Sequence, residues 1–245
     1  FVGRIRELKK LQSLYNSNQF EFAVFCGRRR VGKTTLINEF IKDKKAAYYM
    51  AVEGTRKENL SGLSKALLMA GESAGDAEFL DYTNLFNYID TLCQSQERLI
   101  IVIDEYPHLA ASYPAVSSML QSHIDQCWKN SKLFLILCGS SLSFMEEQVL
   151  GPLYGRRTAQ FKIHPFTFFE ARRMLLSFSE EAQAILYGIT GGIPEYISRI
   201  DVDKSLDDNI VDLFFDESGR LFEEPVNLLK QELREPASYH SIISA

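Results

Sequence analysis

Eight consecutive residues carry the clearest chemistry in this chain: Gly27-Arg28-Arg29-Arg30-Val31-Gly32-Lys33-Thr34. A glycine, four variable residues and Gly-Lys-Thr form the pattern of a phosphate-binding loop. Glycine lets the backbone curl so that successive N–H groups point at one anion. A helix opening at Lys33 adds the positive end of its dipole, and the Lys33 ammonium offers a point charge to β- and γ-phosphates. The Thr34 hydroxyl suits Mg²⁺, a cation that prefers oxygen ligands. Together with Thr35, residues 27–35 are the candidate nucleotide-binding stretch. The three arginines Arg28, Arg29 and Arg30 could reach phosphates, or pair with acidic neighbours and brace the loop; bracing or partner contact is favoured, because the backbone already does the cradling.

A second set lies at Leu99-Ile100-Ile101-Val102-Ile103-Asp104-Glu105. A buried strand here delivers two carboxylates to its C-terminal end, where ligands bind in open α/β sheets. Asp104 suits the Mg²⁺ shell through water, and Glu105 suits polarisation of an attacking water. A second acid beside the first favours hydrolysis over transfer to a small acceptor. By itself, Asp-Glu at a strand end also reads as the start of a solvated loop. The apolar run 133–138 ends in Gly139-Ser140-Ser141. Ser140 or Ser141 could sense a γ-phosphate from that strand tip, or cap a helix over 142–150. Arg156 and Arg157 could neutralise transition-state charge, in cis or from a neighbouring subunit, or pair on the surface.

These residues need elements to position them. Apolar spacing predicts a helix over 4–17, a buried strand over 20–26, a helix over 33–41 and a strand over 46–52. Polar and helical segments fill 55–96. Strands follow over 99–103 and 133–138 with a helix over 114–128 between them, and a fifth strand over 160–163. Alternating strands and helices imply an α/β domain built on a parallel sheet. From Phe166 the pattern is helical only, over 168–177, 180–188, 194–200, 206–215 and 220–233. The expected division is an α/β domain over 1–165 and a helical lid over 166–235. Gly191-Gly192-Ile193-Pro194 needs no more than a helix end followed by a helix start.

The 245 residues are 46% hydrophobic and carry a net charge of −5, which argues against a protein that coats nucleic acid. Cys26, Cys93, Cys127 and Cys138 are scattered, and neither they nor His108, His123, His164 and His240 show a zinc spacing or a cluster. A reduced, cytoplasmic protein without a membrane span is expected. The chain begins at Phe1 and stops inside a helical segment at 241–245, so it reads as a piece of a longer protein. Tyr48, Tyr49 and the many phenylalanines read as core.

Taken in order, the motifs resemble a known family. Phe1-Val2-Gly3-Arg4-Ile5-Arg6-Glu7 looks like the N-terminal motif of archaeal-type and STAND-class ATPases, which are P-loop proteins related to AAA+. The phosphate loop, Ile103-Asp104-Glu105-Tyr106-Pro107, Gly139-Ser140-Ser141, Leu153-Tyr154-Gly155-Arg156-Arg157, Pro165-Phe166 and Gly191-Gly192-Ile193-Pro194-Glu195-Tyr196 follow in sequence. The resemblance implies a P-loop NTPase fold with strand order 5-1-4-3-2. It places Gly3, Arg4, Gly192 and Pro194 beside adenine, and favours ATP/ADP over GTP. It also implies a winged helix starting near 236–245 and a nuclease-like domain beyond, with DNA, a protein partner or a second copy of the chain as partners. The leading expectation is a Mg²⁺-dependent ATPase switch. A non-hydrolysing nucleotide module and a small-molecule kinase are the alternatives.

Overall fold

In the computed structural model, residues 1–71, 78–94, 97–140, 145, 153 and 155–232 are described, the last four by backbone alone. Two compact units divide the chain, one over Gly3–His164 and one over Pro165–Ala245. Among the described residues no helix is long and apolar enough to cross a membrane.

The first unit holds β1 (Glu21–Cys26), β2 (Ala46–Met50), β3 (Ile100–Asp104), β4 (Phe134–Gly139) and β5 (Ala159–Lys162). They form one all-parallel sheet in the order β2-β3-β4-β1-β5, the order that the resemblance implies. Every residue of β1, β3 and β4 is buried, whereas β2 and β5 are only partly so. Strands rich in Val, Ile, Leu and Phe on both faces must lie at the centre of a covered sheet. The less apolar strands take the edges.

Strand periodicity sends alternate residues to opposite faces. Ile101, Ile103, Leu135 and Leu137 pack on one face with residues of α3 (Arg56–Ala70), α4 (Tyr82–Cys93), α5 (Tyr106–Ser112) and α6 (Val116–Gln126). Ile100, Val102, Phe134, Ile136 and Cys138 pack on the other with α1 (Ile5–Asn16) and α2 (Lys33–Ile41). Asp104 has the parity of Ile100 and Val102, so it faces α2 and the loop before it. Tyr48 has the same parity, since it pairs with Val102 and packs against that second layer.

The second unit is helical: α7 (Phe168–Ala171), α8 (Glu180–Thr190), α9 (Pro194–Ile197), α10 (Leu206–Ile210) and α11 (Glu224–Glu232). Its core gathers Phe166, Ala171, Leu175, Leu186, Ile197 and Ile200. Several helices are shorter than the apolar spacing predicts. The segment 168–177 is one α-turn capped by Thr167 and Glu170, then a 3-10 turn, Arg172–Met174, which brings Leu175 into the core. The segment 206–215 changes to a π-turn at Val211–Phe215. At the sheet, β3 lies one residue later than predicted, so Asp104 pairs with Met50 inside the strand. The strand predicted over 46–52 ends at Met50.

Candidate active site

The phosphate loop runs from the tip of β1 into α2 with three residues at positive φ: Gly27 (152°), Arg30 (67°) and Gly32 (88°). At Gly27 a Cβ would run into the carbonyl oxygen of Ile163, so the close approach of loop and β5 end requires glycine. Val31 is fully buried in the core, so its side chain anchors the loop from beneath. Arg28 and Arg29 are exposed, Arg30 is half-buried, and Thr35 is exposed on the first turn of α2.

Lys33 is buried, and its Nζ donates to the carbonyls of Gly27 (2.8 Å) and Arg28 (2.9 Å). A buried ammonium must be matched in this way or its desolvation would be costly. Two of its three donors thereby hold the loop closed on itself. Arg4 braces the same loop from the chain start. It sits in the left-handed region (φ 59°) as the residue before α1, and it is 6% exposed. Its guanidinium donates to Val31 O (3.0 Å) and His164 O (2.5 Å), joining the loop to the segment after β5. Gly3 beside it is buried with φ 71°.

Asp104 is 1% exposed and is the hub of the strand tips. Its Oδ2 accepts from Thr34 Oγ1 at 2.6 Å and from the Tyr48 hydroxyl at 2.8 Å, and its Oδ1 accepts from the Glu105 N–H at 2.9 Å. Burial and then the Asp104 charge hold the Tyr48 phenol far above its ordinary range, so Tyr48 is a permanent donor. Burial, reinforced by Asp104, likewise keeps the Cys138 thiol protonated. A hydroxyl and a carboxylate converging here match the oxygen donors that Mg²⁺ requires. Reading Tyr48 as core missed this contact; only the pairing of Tyr48 with Val102, two residues short of Asp104, could have signalled it.

Glu105 stands on the other side of the strand tip. The chain passes from β3 straight into α5, and Glu105 makes the turn with φ 47° and ψ 43°. A left-handed non-glycine residue costs about 1–2 kcal/mol, a form of strain that clusters at functional positions. Its Oε2 accepts from the Ser140 hydroxyl (3.0 Å) and lies 3.3 Å from the Ser140 N–H. Gly139 permits this, because a Cβ there would collide with the Pro107 ring and the Met145 sulfur. The tip of β4 and the start of α5 can therefore close on each other.

The sequence-predicted residues thus fall into several groups. Lys33, Thr34 and Asp104 come together around the loop, with Glu105 and Ser140 paired beside them. Ser141 and the helix expected over 142–150 lie outside the described residues, as do 236–245, apart from Met145. Arg156 bonds Asp125 on α6 through two nitrogens (2.8 and 2.6 Å), so of the two readings left open the surface pair is present. Arg157 is half-buried. Gly192 (φ 69°) and Pro194 belong to the second unit. The Gly192 carbonyl accepts from the Phe166 N–H at 2.8 Å, a Cβ on Gly192 would meet the Phe166 carbonyl, and Pro194 opens α9.

Comparison with known proteins bears on the fold and the family. A curated relative, an uncharacterized protein of Methanocaldococcus jannaschii, is 36% identical over the whole chain. The chain spans only 54% of that relative's length. Among solved structures, a Walker-type ATPase of Pyrococcus abyssi is 18% identical with a TM-score of 0.69, over 96% of this chain and 75% of that one. The ORC1 protein of Aeropyrum pernix, solved in complex with DNA, is 16% identical with a TM-score of 0.60, over 82% of this chain and 58% of that one. Identities this low speak for the fold alone. The family description "ATPase domain predominantly from Archaea" matches residues 1–200, and with the phosphate loop, the Asp104 hub and the parallel sheet in place, the chain belongs to that family of ATPase domains.

Proposed function

We propose that this domain binds ATP with Mg²⁺ at the tips of β1, β3 and β4 and hydrolyses it at a water held by Glu105. The observation that carries this reading is the Thr34–Asp104 contact beside Lys33, with the paired Glu105 and Ser140 one residue further along. Loop N–H groups and the α2 N-terminus would cradle the phosphates, and Lys33 would add its charge to them. Thr34 and Asp104 are the residues that would hold Mg²⁺, which when bound neutralises charge on the β- and γ-phosphate oxygens. Tyr48 fixes the Asp104 carboxylate. Glu105 accepts the proton side of the attacking water. Ser140 aims the Glu105 carboxylate and, from the tip of β4, would sense the γ-phosphate.

Gly3 and Arg4 are proposed to border the adenine, and the helices over 166–235 are proposed as a lid subdomain. A domain of this design works as a switch whose state is passed to further domains. DNA as an eventual partner is suggested by the DNA complex of the A. pernix relative. A protein partner and self-association are equally compatible with this design. The described cysteines are thiols rather than disulfides, as in a reducing cytoplasm.

One observation favours a second reading, a module that holds nucleotide without turnover: Glu105 Oε2 is already engaged by Ser140. ADP formation from ATP, with Mg²⁺ and with a chelator added, separates the two. ADP that forms with Mg²⁺ and stops on chelation supports hydrolysis. ATP recovered intact from the protein after hours with Mg²⁺ supports the holding module. ADP release that needs an added small-molecule acceptor would instead revive a kinase.

A further inference from the structure

A second cluster of chemically capable side chains lies at the other end of the first unit, below the starts of β3 and β4. It plays no part in the nucleotide chemistry proposed above. Asp90 comes from α4, His123 from the last turn of α6, and Cys127 from the residue that ends α6. His123 and Cys127 are four apart, so they share one helix face. One donor atom from each of the three lies within 4.8 Å of the other two. His123 Nδ1 is 3.1 Å from Asp90 Oδ2 and 3.2 Å from Oδ1. In a tetrahedral zinc site, with metal–ligand bonds of about 2.0–2.3 Å, neighbouring N, O and S donors stand about 3.3–3.6 Å apart. Small side-chain adjustments reach that spacing.

The surroundings supply the outer support that metal sites use. Trp128 is fully buried, and its Nε1–H donates to Asp90 Oδ1 at 2.6 Å, fixing the carboxylate. The His123 ring is packed between Phe86 (5.2 Å) and Trp128 (5.7 Å), which limits its rotation. Outer hydrogen bonds and packing of this kind orient metal ligands. The mixed nitrogen, sulfur and oxygen set suits zinc and excludes Mg²⁺ as the favoured ion. Cys127 is exposed, so an ion has an entry path and water can complete its coordination. Linear spacing hid the cluster, because Asp90 lies 33 residues before His123.

We infer that Asp90, His123 and Cys127 form a zinc site that ties α4 to α6 at the end of the domain remote from the phosphate loop. The test uses Co²⁺ as a spectroscopic stand-in, then Zn²⁺ in competition with a chromophoric chelator, with ATP and Mg²⁺ saturating so that Thr34 and Asp104 do not take up the added metal. One equivalent of Co²⁺ should give tetrahedral d–d bands and a thiolate-to-cobalt charge-transfer band. Cys127→Ser, a change at an exposed position, should abolish the charge-transfer band and weaken Zn²⁺ binding by at least about 10-fold. Trp128→Phe keeps a ring in the core but removes the donor to Asp90. It should keep the band and weaken Zn²⁺ by about 10–100-fold. The inference is overturned if Co²⁺ gives no thiolate band, if the band survives in Cys127→Ser, or if Trp128→Phe binds Zn²⁺ as tightly as the parent.

Discussion

The two ends of the α/β unit are built differently. At the C-terminal ends of the strands, three side chains that disfavour it sit at positive φ: Arg4, Arg30 and Glu105. At the opposite end Asn18 is the one described non-glycine residue of this kind, and asparagine tolerates that conformation well. Polar groups at the strand tips are also buried and cross-linked, with Asp104 accepting three hydrogen bonds and Lys33 donating two. At the far end, Asp90 and His123 sit on helical backbone, Cys127 caps α6 at negative φ, and all three are at least partly open to solvent. Backbone strain therefore collects where the phosphate loop is, and local stability has been given up there to hold a geometry, whereas buried charge occurs at both ends, since Glu21 and Arg98 are also buried. The far end carries its cluster at no such cost.

This contrast can be broken or sharpened by substitution. The largest effect is expected at Lys33. Lys33→Ala removes a charge that would make charge-assisted contacts to phosphate worth about 1.5–3 kcal/mol each, so ATP affinity should fall at least about 100-fold for two such contacts. Equilibrium binding of a fluorescent ATP analogue reads this directly, and tight binding by the variant would remove Lys33 from the site. Ser140→Ala comes next. Loss of one hydrogen bond to the Glu105 carboxylate should lower turnover about 10–100-fold and leave ATP affinity unchanged. If affinity falls with turnover, Ser140 acts on the nucleotide and not on Glu105.

Smaller effects are expected further from the proposed reacting atoms. Tyr48→Phe leaves Asp104 its bonds to Thr34 and to the Glu105 N–H, so the loss should be about 2–10-fold, seen as a higher Mg²⁺ requirement. Titrating Mg²⁺ at fixed ATP checks this, and an unchanged Mg²⁺ dependence would return Tyr48 to a packing role. Arg156→Ala should change neither turnover nor Tm beyond scatter, because its bond to Asp125 is a surface pair. A large loss of turnover in that variant would show that Arg156 leaves Asp125 to act as a finger.

The sequence was most legible where chemistry is contiguous. The phosphate loop, the Asp104-Glu105 pair and the parallel sheet are all encoded in short runs, so residue type and spacing sufficed to find them. Contacts set by strand register were not legible. Tyr48 reaches Asp104 because β2 pairs with β3 in one register, and a one-residue slip would turn it to the other face. Arg4 as a loop brace, Gly139 as a gap for Pro107, and the meeting of Asp90 with His123 all depend on residues far apart in sequence. Helix ends in the second unit were misjudged for a related reason. Leu175 and the π-turn at Val211–Phe215 follow the demands of a small core rather than a continuous helical period.

The division of labour between Asp104 and Glu105 is the central claim, and Glu105→Gln tests it most directly. The variant keeps the side-chain length, the left-handed turn and an oxygen to accept from Ser140, but removes the negative charge. ATP affinity and single-turnover ADP formation should be measured on the same preparation with Mg²⁺ present. The expected result is unchanged ATP affinity with ADP formation slowed by about 10²–10⁴-fold. ADP formation at the parental rate, with ATP bound equally well, would contradict the assignment of Glu105 to the attacking water.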